Sequence, residues 1–339
     1  MQIIRPIRHS DFAALKQISI EAGHGFTSLP QCDEQLSKRI EQADLALDDS
    51  QGEQQLGSYL FVLEDTDSHT ILGTTGIEAS VGHDSPLYHY RISQNRVASK
   101  LLGVNRTVST LSVCNDYHGA SEICTLFLRE AYRNGLAGRL LSKIRFLFMA
   151  QHPQRFSSTV IAEMRGVSDE QGNSPFWQWL QKHFFEIDFA TAVHLVGVGE
   201  KHFIAELMPK YPVYVNLLSQ KAQAVIAKPH KHTVPALRLL QKEGFQNKGY
   251  VDLFDAGPTV EAKLSEINSV KNSTLAKVKV GKVGHAHGMM LCNTKIKDFR
   301  AGYTEHARYD ATQQVLHLSP SVAQQLMLET HDEVRFIAA

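Results

Sequence analysis

Hydrophobic and polar positions follow two different periods along the first half of the chain. Ile3-Ile4-Arg5-Pro6-Ile7 is a short apolar run of strand type, and beyond it Phe12, Leu15, Ile18 and Ala22 recur at the spacing of a helix with one buried face. Ser10 or Asp11 suits the start of that helix, and Gly23 its end. Tyr59 to Glu64 and Thr70 to Ile77 are β-prone runs around the turn formers Asp65-Thr66-Asp67-Ser68-His69, which predicts a hairpin. From Gly82 to Gly103 neither period holds, and Tyr88, Tyr90 and Arg91 suit a site wall and a core cover equally.

The pattern sharpens at Ile123-Cys124-Thr125-Leu126-Phe127-Leu128, a mostly apolar run of central-strand type. A turn punctuated by Gly135 and Gly138 leads into a helix carrying Leu140, Leu141, Ile144, Leu147 and Phe148, and Thr159 to Met164 returns as a strand. Strand, glycine turn, helix and strand together predict parallel neighbours joined by a right-handed crossover. A helix is expected over Pro175 to Phe185, another over Val234 to Glu243 with Gly244 as its stop, and a strand over Tyr250 to Phe254. Around Val260 to Lys277 the chain turns more polar, so a boundary is placed near residue 265, dividing it into 1–265 and 266–339. In the second part, Val278 to Val283, Val315 to Leu318 and Val334 to Ile337 are strand-like, and Ser319-Pro320 opens a short helix. That small β-rich unit is expected to serve packing or oligomer contact.

Composition narrows the function classes. The 339 residues are 43% apolar and 21% charged, ordinary globular usage. Lys plus Arg equals Asp plus Glu at 35 each, so no net field draws the chain to nucleic acid or to an anionic membrane, and neither is expected as a partner. No apolar run approaches the 18 or more residues of a membrane span, and Arg5, Arg8 and Asp11 interrupt what a signal peptide would need as its apolar segment. Cys32, Cys114, Cys124 and Cys292 form no CxxC pair, which suits a reducing compartment; the expectation is a soluble cytoplasmic protein.

Helix N-termini offer outward N–H groups with positive partial charge, so a loop of Gly135 and Gly138 beside Arg133 and Arg139 could seat a diphosphate without side-chain obstruction. Neither GxGxxG nor GxxxxGK[ST] is present. The element order over residues 3 to 185 is similar to that of the acyl-CoA N-acyltransferase superfamily, with Arg133 to Gly138 at its [QR]xxGx[GA] turn and Leu136 where glycine is usual. Thr27-Ser28-Leu29-Pro30, Glu122 to Leu128, Leu141-Ser142-Lys143, Arg145 to Phe148, Ala162-Glu163-Met164-Arg165-Gly166, Ser174 to Trp177, Phe203 to Pro209 and Gly257-Pro258-Thr259 together resemble the arginine N-succinyltransferases of bacterial arginine catabolism.

That resemblance implies an α+β fold, a GNAT-like mixed sheet flanked by helices with a small barrel-like C-terminal β unit. It implies succinyl-CoA as co-substrate, with no permanently bound cofactor, and the α-amine of L-arginine as acceptor. It carries the family's CoA contact onto Leu126 and its acid/base histidine onto His230, with Lys231 where proline is usual and Ala256 where glycine is usual.

The chemistry itself asks for four groups. An amine of pKa about 8 must lose a proton before attack, and Glu163 and Glu206 are the candidates on the acceptor side. The thioester oxygen needs a donor, which a free N–H along Leu126, Phe127 and Leu128 of a splayed strand would supply. The departing thiolate needs a proton or a donor; many superfamily members use a tyrosine four residues before a closing Gly-Phe, and here that position is Leu240, leaving His230 for the task. The acceptor's guanidinium wants a carboxylate that the sequence does not single out. Seventeen histidines include His230-Lys231-His232 and His285-Ala286-His287, but no third ligand is fixed by spacing and no metal is expected. The alternatives are a transferase acting on ornithine or another acyl-CoA, and a ligand- or partner-binding subunit without catalysis, either of them able to form a homo-oligomer.

Overall fold

The computed structural model describes residues 1–23, 26–48, 56–83, 85–133, 135–169, 172–200, 202–284 and 286–338. Strand β1 (Gln2–Pro6) leads into α1 (Phe12–Ala22), which buries Leu15 and Ile18 and ends on Gly23 at φ 71°. Asp11 precedes α1 but does not cap it with its side chain; both its oxygens accept from Arg5, at 2.7 and 2.9 Å. The same guanidinium bonds Glu64, so one buried cation ties β1 to the sheet. Helix α2 (Asp33–Ala46) was not legible as a separate element; β2 (Ser58–Asp65) and β3 (Thr70–Glu78) are the expected hairpin.

The stretch without a period folds as a long hairpin of β4 (His89–Ser99) and β5 (Val104–Cys114). Its outer half is exposed on both faces, so no alternation is required there. The expected central unit follows: β6 (Ser121–Leu128), α3 (Ala137–Gln151) and β7 (Thr159–Glu163), with β6 and β7 parallel. Short helices then cover one end of the sheet: α4 (Pro175–Leu180) running into a π turn to Phe185, α5 (Phe189–Gly197), α6 (His202–Leu207), the two-residue β8 (Val213–Tyr214) and α7 (Gln220–Val225). They close a second core around Trp177, which is fully buried with its indole N–H donated to Ile187 O at 3.1 Å.

Helix α8 (Val234–Lys242) precedes β9 (Gln246–Asp252), which begins and ends earlier than its apolar residues suggested, because Asp252 to Asp255 form a tight turn. Strand β10 (Pro258–Lys263) occupies part of the stretch that looked polar, pairing with β7 and β9. After α9 (Asn268–Lys271) come β11 (Thr274–Val280), β12 (His287–Asn293), β13 (Ala301–Asp310), β14 (Val315–Leu318), α10 (Pro320–Gln325) capped by Ser319, and β15 (Glu333–Ala338).

Hydrogen bonding links these strands in the order β12-β15-β11-β14-β13-β1-β2-β3-β6-β7-β10-β9-β4-β5-β8, with β12 also pairing β13. That extra pairing closes the five C-terminal strands into a barrel. Ala301 and Gly302 of β13 continue the sheet onto Ile4 and Ile3 of β1. The architecture is therefore an α+β mixed sheet flanked by helices, extended by a closed barrel. Among the described residues no helix is long and apolar enough to cross a membrane.

Candidate active site

Strands β6 and β7 are paired only at Ser121–Val160 and Glu122–Ile161, after which they diverge. On the other side β6 stays on β3, but Cys124 faces Gly76 and Phe127 faces Thr74, so Thr125 and Leu126 together stand opposite Thr75. This is a β-bulge with Thr125 at φ 55°, a left-handed conformation that a β-branched residue adopts only under constraint. The constraint is visible: Thr74 Oγ1 donates to Thr125 O at 3.0 Å, and a Cβ on Gly76 would come within 3.2 Å of Thr125 Cβ. The bulge falls beyond the last β6–β7 pairing, so Leu126 to Leu128 are not paired with β7 on the fork side, the arrangement that an oxyanion donor would need.

The turn into α3 adjoins that edge. Arg133 Nε donates to Leu128 O at 2.9 Å, and its guanidinium stands 5.8 Å from the centre of the Phe127 ring. Gly135, exposed at φ 94°, needs to be glycine for its backbone. Packing does not demand glycine at 138, where an added Cβ would meet only Leu128 Cδ2 at 3.7 Å. Leu136 provides no side-chain cap for α3, Arg139 is exposed beside the first turn, and Asn134 lies outside the described residues. An anion at this terminus would meet helix N–H groups flanked by two arginines.

Across the fork, β7 runs on to Glu163, two residues beyond its last pairing with β6 at Ile161. Glu163 ends β7 with its side chain 26% exposed and Oε1 2.8 Å from His89 Nε2. Beyond it the chain is locked by glycines. Gly166 N donates to Asp255 Oδ2 at 2.7 Å and Gly257 N to Asp255 Oδ1 at 2.8 Å, while a Cβ on Gly257 would overlap the Met164 carbonyl oxygen. Ala256, where the resemblance anticipates glycine, sits fully buried at φ 55°.

His230 is attached to the same strand end: its N–H donates to Arg165 O at 2.8 Å, and Pro229 bridges Gly166. Its Nδ1 accepts from the His232 N–H at 3.2 Å, which places the ring proton of the neutral form on Nε2. Burial, with Arg165, His232 and Lys231 nearby, pushes its pKa below the ordinary histidine value of 6.5. Behind it, burial first and then the Asp255 and Glu163 charges push the Asp252 carboxyl well up.

The structure brings Leu126, Phe127, Leu128, Arg133, Gly135, Gly138 and Arg139 onto one wall of the fork, and Glu163 and the His230 segment onto the other. Glu206 is not among them: it lies on the outer face of α6, exposed between the buried Ile204 and Met208, without an ion-pair partner among the described residues. Sequence reasoning did not find His89, Asp252 or Asp255. Asp252 lay in a run expected to be strand, Gly257-Pro258-Thr259 counted only toward the resemblance, and His89 lay in the stretch without a period. Among the described residues no group of three or more His, Cys, Asp or Glu could hold a metal; His285 lies outside them.

A mixed sheet with a forked parallel pair, a bulged central strand and an anion-ready helix start defines an acyltransferase. Residues 2–269 match the family described as arginine N-succinyltransferase beta subunit, and residues 274–338 match its C-terminal domain. The chain belongs to this family. It is 44% identical to the arginine N-succinyltransferase of Yersinia enterocolitica, covering 100% of this chain and 98% of that protein, and 43% identical to the Salmonella schwarzengrund enzyme, covering 99% and 97%. The solved structure of arginine/ornithine succinyltransferase subunit AI from Pseudomonas aeruginosa matches with a TM-score of 0.90 at 32% identity, covering 100% of this chain and 98% of that one.

Proposed function

We propose that the protein transfers the succinyl group of succinyl-CoA to the α-amine of L-arginine in a ternary complex, giving N2-succinyl-L-arginine and free CoA. The bulge at Thr125–Leu126, opening the fork beside the start of α3, is the observation that carries this reading, because it offers thioester and diphosphate their seats on one continuous wall. The names of relatives matching at full length support the choice of acyl group and acceptor.

In this scheme Glu163, facing the fork, takes one proton from the acceptor ammonium. The free amine attacks the thioester carbon, and an N–H along Leu126 to Leu128 holds the developing oxyanion. As the C–S bond breaks, the nitrogen's second proton neutralises the thiolate, which His230 Nε2–H steadies as a hydrogen-bond donor. One proton thus leaves through Glu163 and one with CoA. We place the reaction in the cytoplasm, in keeping with four cysteines that are all free.

Mixing the purified protein with succinyl-CoA and L-arginine while following free thiol, and weighing the product by mass spectrometry, tests the reading. Thiol release with a mass gain of one succinyl on the α-amine is expected; CoA binding without release would overturn it. A second reading, ornithine as acceptor, is favoured by the name of the Pseudomonas aeruginosa structure, and substituting ornithine in the same assay decides between them.

A further inference from the structure

One buried imidazole beside the fork has no part in the scheme above. His89, the first residue of β4, is 0% exposed, stands edge-on to Tyr117 with ring centroids 5.1 Å apart, and lies opposite Asp252 across the β4–β9 pair. Neither ring nitrogen has an aligned hydrogen bond among the described residues, yet Glu163 Oε1 is only 2.8 Å from Nε2. Leaving a buried ring nitrogen unpaired is unfavourable, so the pairing open to it matters. The other groups facing it are already engaged. Cys114 Sγ donates to the His89 carbonyl at 3.6 Å; Tyr117 gives its hydroxyl to Glu261 at 2.5 Å; Asp252 Oδ1 accepts the Phe254 and Asp255 N–H groups. Glu163 differs in reaching the open fork with a quarter of its side chain exposed.

We propose that His89 is a positioning residue for acyl transfer: by pairing with Glu163 it aims that carboxylate across the fork at the acceptor amine, opposite the Thr125–Leu126 bulge. It touches no substrate itself and acts only through Glu163. The proposal rests on the reading of Glu163 as proton acceptor, and it predicts that the two residues behave as one unit.

The test is a double-mutant cycle on the full-length protein with succinyl-CoA and L-arginine. His89→Leu should lower kcat about tenfold or more while the Kd for CoA stays within about twofold, and His89→Gln, which keeps a donor, should restore most of the loss. In the Glu163→Gln background, His89→Leu should cause no further loss. Equal losses in both backgrounds, or an unaltered kcat, would overturn the proposal. Nitrogen-15 NMR of the histidine rings separates this failure from failure of the functional reading: a His89 Nε2 proton signal that is lost in Glu163→Ala, which removes the accepting carboxylate, upholds the pair even if arginine proves not to be the acceptor, and an unchanged signal rejects it.

Discussion

Asp252 and Asp255 show how a buried carboxyl can be kept for its proton. Asp255 uses both oxygens as acceptors for the N–H groups of Gly166 and Gly257, and burial with the neighbouring charges raises the Asp252 pKa well above its ordinary 3.8. A raised folded-state pKa means that folding favours the protonated form. The stabilisation is fully present below about pH 3.8 and is lost as pH rises through the folded value. Asp252→Asn mimics the protonated acid and does not titrate, so its melting temperature should exceed that of the wild type increasingly as pH rises above 4, and thermal unfolding at stepped pH measures this. His230 shifts the other way. Its lowered pKa keeps the ring neutral at pH 7, and a proton added at Nδ1 would leave the Nε2–H donor in place, so titration of this ring should impose no loss of kcat as pH falls, while His230→Ala, which removes the donor, should lower kcat about a hundredfold. A limb in which activity instead falls on raising the pH would show that the charged ring is the working form.

At the level of elements, Gly138 separates a fold requirement from a ligand requirement. An alanine there would touch Leu128 only at ordinary contact distance, so Gly138→Ala should keep both its melting temperature and its KM for acyl-CoA, whereas Gly138→Glu, which sets a like charge beside the diphosphate seat, should raise that KM about tenfold, as titration of the thioester can show. The same contrast explains what the sequence disclosed. The β6–α3–β7 unit was legible because its strands are buried and its helix has a strong apolar face, and with it came Leu126, Glu163 and the glycine turn. The motifs around Gly166 and Gly257 were noticed as segments, but their reason is contact: each glycine lies against backbone or against Asp255, which no spacing rule reveals. The β4–β5 hairpin escaped because its outer half is wet on both faces, and His89 escaped with it, since a pairing between β4 and β7 comes from tertiary packing alone.

For the whole molecule, the boundary expected near residue 265 is crossed by a common core. Phe299, between β12 and β13, is fully buried with its ring 5.4 Å from Phe61 on β2 and 5.0 Å from Phe148 on α3, and those two are 5.1 Å from each other. The β1–β13 pairing joins the same two parts by backbone. A single calorimetric transition is therefore expected, with Phe299→Ala destabilising the entire chain by about 3–5 kcal/mol, where two resolved transitions would show separable units. The aromatic triangle has a bearing on recombination as well. A hybrid spliced between relatives near residue 270 would separate Phe299 from the Phe61 and Phe148 it packs on, so such a chimera should melt below either parent unless the three aromatic positions travel together.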